Sequence, residues 1–139
     1  MKNILKIIST LTLLIPQALY AKVDKDVNVS EGPGFNIFSI NNGKVSTPEA
    51  SVLLGITRQT IFDICEELEV RCHAQDVTVD KLKTADEVFI TSTAGGVMPV
   101  TRIDERPIAS GNIGPLSKRI MDAYWQMHNE GKHRDPVKY

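Results

Sequence analysis

The order of apolar and polar residues predicts alternating strands, turns and helices from residue 27 onward. Residues 35–40 are aromatic or β-branched at most positions, which predicts a strand. The turn residues 41–43 and a partner strand over 44–46 would make it a hairpin. Residues 87–92 form the clearest buried strand, and the small residues 93–96 predict an open loop after it.

Two helices follow from periodic apolar positions. Over 57–68, residues Ile61, Ile64, Cys65 and Leu68 recur at the spacing of one helix face. A second helix starts after Gly114, with a proline suited to its first turn. The remaining predicted elements are a short strand over 70–72, a short helix over 78–84 capped by its threonine, and a strand pair over 98–103 and 107–108.

The first 21 residues differ in composition from those that follow. Lys2 and Lys6 precede an apolar stretch that Pro16 ends, and Ala21 is a small residue at the expected cleavage position. This arrangement is typical of a secretory signal peptide, and a buried strand or helix is the alternative. The polar residues 129–139 are expected to form a loose tail.

Composition narrows the class of protein. The chain has 139 residues, 42% hydrophobic and 24% charged, which indicates one globular domain. A formal net charge of −1 gives no electrostatic basis for binding nucleic acid, and no apolar run is long enough to cross a membrane. The two cysteines exclude a disulfide-dense scaffold, and Cys72-His73 lacks a second ligand pair at metal-site spacing.

Two loops could hold an anion. Gly55-Ile56-Thr57 opens a helix, where unpaired N–H groups and the helix dipole attract negative charge. Residues 92–96 end a buried strand with hydroxyls and glycines. Each loop alone is also consistent with an ordinary helix cap or a tight turn. Two such loops in one small domain favour an anionic ligand.

Several ordered motifs between about residue 18 and residue 128 resemble class IV (fold-type IV) pyridoxal-phosphate aminotransferases. They are residues 31–36 (EGPGFN), 47–48 (TP), 53–58 (LLGITR), 85–89 (ADEVF) and 92–96 (STAGG), extended by 97–100 (VMPV) and 111–115 (GNIGP). The resemblance implies an α/β fold, a mixed barrel-like sheet with outer helices, like the C-terminal domain of that family. The cofactor-binding domain would span residues 22–128.

The resemblance also implies roles for individual residues. Glu31 would pair with the protonated pyridine nitrogen of pyridoxal phosphate, Leu53 would lie against the ring, and Asn36 would brace the loop after Glu31. The implied cofactor-binding residues are Glu31, Leu53, Gly55, Ile56, Thr57, Ser92 and Thr93. Ala94, Gly95 and Gly96 are the implied substrate-binding residues.

The activity implied is transfer of an amino group between an amino acid or amine and a keto acid. A cytoplasmic homo-oligomer is expected, and a signal peptide at residues 1–21 would make it an exported protein instead. Within the family, the glutamate motif and the TAGGVMP segment resemble the (R)-amine transaminase-like branch. Branched-chain enzymes usually carry glutamate where this chain has Phe35.

The family's Schiff-base lysine precedes its glutamate by about thirty residues, and counting back from Glu31 passes Met1. Lys2, Lys6, Lys22 and Lys25 match no family motif. The resemblance therefore covers the C-terminal half only, and no catalytic residue is assigned. Three alternatives stay open: an incomplete chain that is inactive alone, a half-enzyme completed by a separate chain with the N-terminal domain, and an exported, non-catalytic binding module.

Overall fold

The computed structural model describes residues 4–9 and 17–132, which fold into one sheet with three helices. The strands are β1 (Ile4–Ser9), β2 (Gln17–Lys22), β3 (Asn36–Asn41), β4 (Lys44–Thr47), β5 (Cys72–Ala74), β6 (Glu87–Ser92), β7 (Gly96–Ile103) and β8 (Arg106–Pro107). The helices are α1 (Ile56–Glu67), α2 (Val79–Lys83) and α3 (Pro115–Asn129).

The strands form one mixed sheet in the order β2-β1-β7-β6-β3-β4-β5, with β8 paired to β7. Its pairings are antiparallel except β4 with β5, which run parallel. The sheet curls into a half-barrel with helices against it. The predicted mixed, barrel-like sheet with outer helices is therefore confirmed.

Side chains along β3 and β6 alternate between the two faces of the sheet, and core residues cover both faces. Ile37, Val88 and Ile90 enter one core cluster, which also takes up residues of the first two strands and α2. Phe38 and Phe89 lie on the opposite face beneath α1 and α3. Their rings stack across the β3–β6 pair, 4.7 Å between centroids.

Residues near the N-terminus form an antiparallel pair, β1 with β2, and β1 also pairs with β7. Leu5, Ile7 and Ala21 are buried in the first core cluster. The observed strands agree with the strand alternative for this segment. β2 runs across the predicted boundary between residues 21 and 22, while residues 1–3 and 10–16 and the predicted tail from 133 onward lie outside the described residues.

The turn after β7 holds β1 in place. Asp104 and Glu105 both have positive φ, 46° and 66°, as a two-residue type I′ hairpin turn requires. The Lys6 ammonium contacts Glu105 Oε1 at 2.7 Å, and the hydrogen bond and charge hold the pKa of that carboxyl below its usual value. The predicted strand pair around these two residues is present, with β7 starting two residues earlier than expected.

Local hydrogen bonds set the start of α2 and the end of α1. Thr78 caps α2 by accepting a hydrogen bond from the Lys81 N–H at 3.2 Å, as predicted. Strand β5 begins at Cys72 instead of residue 70, because the Val70 N–H is used to end α1.

No helix within the described part of the chain has the length and apolar character needed to cross a bilayer.

The buried carboxylate of Glu87 joins the sheet to α3. Its two oxygens accept hydrogen bonds from the Leu116 N–H at 3.0 Å and the Ser117 N–H at 2.6 Å. The residue before the helix is Gly114, and a Cβ there would collide with the Glu87 carboxyl group. A side chain on β6 therefore supplies the cap that the helix lacks locally.

We expect Glu87→Gln to lower the free energy of unfolding by about 1 to 2 kcal/mol, because the helix start loses its anionic acceptor. Urea unfolding followed by circular dichroism measures the change. Glu66→Gln, an exposed change on α1, serves as the control. Equal unfolding midpoints for the two variants would contradict the capping role.

Candidate functional site

A cleft of about 140 Å³ opens where the end of β6, the start of α1 and the turn before β3 meet. Its lining residues come from three separate parts of the chain: Glu31, Gly34, Phe35 and Asn36; Leu53, Gly55, Ile56 and Thr57; and Thr91, Ser92 and Thr93. All seven residues predicted to hold the cofactor are among them. The fold thus brings together both loops that the sequence indicated as anion sites.

The start of α1 gives the cleft an electropositive end. Gly55 is the residue before the helix and supplies no side-chain cap, and the first turn carries no acidic residue. Its first N–H groups therefore need an external acceptor, and the helix dipole adds to their attraction for an anion. A Cβ on Gly55 would lie 3.1 Å from Asn36 Oδ1, so glycine permits the close approach.

The hydroxyl of Thr91 is a further polar group that sequence reasoning did not single out. Its Oγ1 is buried and has no hydrogen-bond partner among the described residues, although Thr91 lines the cleft. Thr91 stands opposite Asn36 in the β3–β6 ladder. A buried hydroxyl without a partner is costly, which marks this position as one that a ligand can satisfy.

The carboxylate of Glu31 also lines the cleft. Its Oε2 accepts hydrogen bonds from the Leu53 N–H at 2.7 Å and from Asn36 Nδ2 at 3.1 Å. Among the described residues, none donates a hydrogen bond to Oε1. One oxygen thus fixes the carboxylate, and the other can accept a hydrogen bond from a ligand.

Asn36 braces the loop around the cleft, as the sequence predicted. Besides bonding Glu31, its Nδ2 donates to the Leu53 carbonyl at 2.9 Å. Leu53 is therefore held through both its N–H and its C=O. The side chain of Leu53 stays 69% exposed, and those of Leu54 and Ile56 are 75% and 88% exposed. The rim of the cleft is an apolar patch of these three residues.

The residues predicted to contact substrate stand beside the cleft. Ser92 lines the cleft, and its Oγ accepts a hydrogen bond from the Gly95 N–H at 2.9 Å, which closes the turn. Gly96 has φ of +61°, and a Cβ there would press on Tyr124 and Trp125 of α3. Ala94, Gly95 and Gly96 are not among the residues that line the cleft, and their substrate role stays a prediction.

The described residues add two further facts about the chemistry. No lysine is among the residues that line the cleft. Within residues 4–9 and 17–132, no cluster of three or more potential metal-ligating side chains was found. The cleft thus combines N–H and hydroxyl donors with a fixed carboxylate, a set of groups that fits an anionic group joined to a protonated nitrogen.

The sequence profile of the family described as "Amino-transferase class IV" matches residues 18–103, more than half of the chain. The chain belongs to the class IV aminotransferase family. The matched span contains every residue that lines the cleft. Family membership predicted from the ordered motifs is confirmed.

Relatives within the family are named as branched-chain aminotransferases. The chain is 44% identical over 100 residues to a probable branched-chain-amino-acid aminotransferase of Aquifex aeolicus, covering 70% of this chain and 32% of the relative. It is 38% identical over 106 residues to the branched-chain-amino-acid aminotransferase of Pseudomonas aeruginosa, covering 76% and 34%. The chain therefore spans about a third of the length of these curated relatives.

A solved structure shares the fold. The branched-chain amino acid aminotransferase from Escherichia coli superposes with a TM-score of 0.71 at 34% identity. The match covers 82% of this chain and 38% of that chain. The curled sheet and its helices are thus those of a class IV aminotransferase.

We expect Asn36→Asp to destabilise the chain by about 2 kcal/mol or more, because it removes a buried donor and places a second carboxylate beside Glu31. Urea unfolding measures the loss. Asn112→Asp makes the same chemical change at an exposed site and should shift the midpoint little. A similar shift in both variants would argue against the brace.

Proposed function

We propose that this chain provides the cofactor-binding part of a pyridoxal-phosphate-dependent aminotransferase that moves an amino group between an amino acid or amine and a keto acid. The observation that carries the proposal is the cleft, which is lined by an uncapped helix start, a buried hydroxyl with no partner among the described residues, and a braced carboxylate. That donor set suits a phosphate and a protonated ring nitrogen together.

The chain's own residues would bind and orient the cofactor. The N–H groups at the start of α1, with the hydroxyls of Thr57, Thr91 and Thr93, would hold the phosphate. Glu31 Oε1 would accept a hydrogen bond from the ring nitrogen and keep a proton on it, while Leu53 packs against the ring. When bound, pyridoxal phosphate supplies a ring that accepts electrons from the substrate carbon during amino transfer.

The substrate class follows from the relatives, which are named for branched-chain amino acids. Those names support a branched-chain amino acid and its keto acid, and the (R)-amine transaminase-like motifs support a small amine as the second candidate. Substrate would reach the cofactor past Ala94, Gly95 and Gly96.

We further propose a cytoplasmic location for the protein, with export as the alternative. A mature protein that starts at Lys22 would establish export.

A partner surface completes the proposal. The exposed rim residues Leu53, Leu54 and Ile56 would be covered by a further aminotransferase domain or by a second subunit. The catalytic lysine would come from that partner, as in the half-enzyme alternative. The relatives are about three times as long as the part that this chain matches, which leaves room for such a domain.

Pyridoxamine 5'-phosphate tests the site directly, because it carries the ring and phosphate but no aldehyde that could react with surface lysines. Calorimetric titration should give saturable binding of one molecule per chain. Pyridoxamine, which lacks the phosphate, should bind at least about tenfold more weakly, the equivalent of about 1.4 kcal/mol. Equal binding of both compounds, or binding of neither, would refute the proposed site.

We expect Thr91→Val to weaken pyridoxamine 5'-phosphate binding about fivefold while leaving the unfolding free energy unchanged or higher, because the hydroxyl has no partner in the free chain. Ser117→Ala is the matched control, since Ser117 Oγ is also buried without a partner but lies in α3 away from the cleft lining. It should leave binding unchanged. Weakening of binding by Ser117→Ala to the same extent would rule against a direct contact from Thr91.

A further inference from the structure

The chain brings its two cysteines together where α1 ends and β5 begins. Glu69, just after the helix, has φ of +56°. Its N–H bonds the Glu66 carbonyl at 3.1 Å, and the Val70 N–H bonds the Cys65 carbonyl at 2.8 Å. These two bonds are those of a Schellman ending, which folds the chain back on the last helical turn. Cys72 follows two residues later, as the first residue of β5.

Both side chains enter the same core cluster. Cys65 is fully buried, and Cys72 is half-buried, packs against that cluster and pairs with Val45 across the β4–β5 ladder. Interaction between the two neighbouring thiols lowers the pKa of Cys65 and, together with burial, raises the pKa of Cys72.

A buried arginine lies beside this pair. Arg58 is 5% exposed, and its guanidinium donates to the Pro48 carbonyl at 3.2 Å and stacks over the Phe62 ring at 5.2 Å. Its Nε has no hydrogen-bond partner, and no ion pair links it to a carboxylate within the described residues. The pKa of Cys72 is raised by Cys65 and by burial, and the positive charge of Arg58 opposes part of that rise because it favours the thiolate.

We propose that Cys65 and Cys72 are a modification site that closes reversibly to an intramolecular disulfide when the chain meets a low-molecular-weight disulfide such as oxidised glutathione. This inference is carried by the packing of both cysteines against one core cluster, beside the Arg58 guanidinium, which pairs with no carboxylate in the part of the chain that the structure describes. Nothing in it depends on pyridoxal phosphate or on amino transfer.

The reaction balances as two thiol–disulfide exchanges. The raised pKa of Cys72 leaves only a small fraction of it as thiolate at neutral pH, but Cys72 is the half-exposed thiol of the two and the one that oxidised glutathione can reach. Cys72, as thiolate, attacks oxidised glutathione, forms a mixed disulfide and releases one glutathione thiolate. Cys65 then attacks the Cys72 sulfur of that mixed disulfide and releases the second glutathione. The two protons of the cysteine thiols go to the two released glutathione molecules, so the protein is oxidised by two electrons and glutathione is reduced by two.

Closure would join the last turn of α1 to β5, a strand at the edge of the sheet. Only six residues separate the two cysteines, and the Schellman bonds already order most of them. The bond would therefore restrain local opening of the edge strand more than it would reshape the fold.

The test uses the unmodified chain. After equilibration with oxidised glutathione and acid quenching, we expect no free thiol in the unfolded protein and a mass lower by two hydrogen atoms. Trypsin cleaves after Arg58, Arg71 and Lys81, so the cysteines fall in separate peptides, residues 59–71 and 72–81. Those two peptides should be joined, and a thiol reductant should release both.

Single variants identify the intermediate. Cys65→Ser should retain glutathione on Cys72 as a stable mixed disulfide, because the second thiol is missing. Cys72→Ser should keep a free thiol at the fully buried Cys65. Two free thiols in the treated wild-type chain, glutathione retained on it, or a disulfide between two chains would each overturn the proposal.

Discussion

The cleft depends on one buried amide, that of Asn36. Its Nδ2 bonds both Glu31 and the Leu53 carbonyl, while Glu31 accepts the Leu53 N–H. A side chain on a central strand thus fixes two loops that line the site, the one that carries Glu31 and the one that carries Leu53. Because both backbone groups of Leu53 are engaged, the segment leading into α1 is positioned by β3 and not by its own packing, which leaves its apolar side chains on the surface.

Sequence patterns predicted the regular elements well where burial is periodic. The bounds of β6 agree with the prediction over residues 87–92, and those of α1 differ by one residue at each end, since both follow from residues that alternate or recur along the element itself. The start of β5 could not be predicted in this way. It depends on the Val70 N–H, which bonds the Cys65 carbonyl and so ends the helix instead of starting the strand. Local composition does not reveal which of these two structures residue 70 adopts.

In the candidate site, too, features that lie close together in the sequence were predicted, and a feature that depends on distant residues was missed. Its glycine and hydroxyl loops carry recognisable local chemistry, and the family motifs supplied Glu31 and Leu53. Thr91 was missed because a threonine inside a buried strand is ordinary in sequence. Its unpartnered hydroxyl follows from neighbours distant along the chain, including Asn36 on the adjacent strand. The free protein keeps this group buried at a cost in stability, and because Thr91 lines the cleft, a ligand there would relieve that cost.

The strand order has a consequence for how the chain folds. β1 must pair with β7, and their partnered residues, such as Ile7 and Ile103, lie 96 residues apart along the chain. The hairpins β3–β4 and β6–β7 join near neighbours and can form early, whereas the β1–β7 contact must wait until most of the chain has been synthesised. Until then the apolar strands of the N-terminal pair stay without their partner, and this interval is when the nascent chain is most exposed to aggregation.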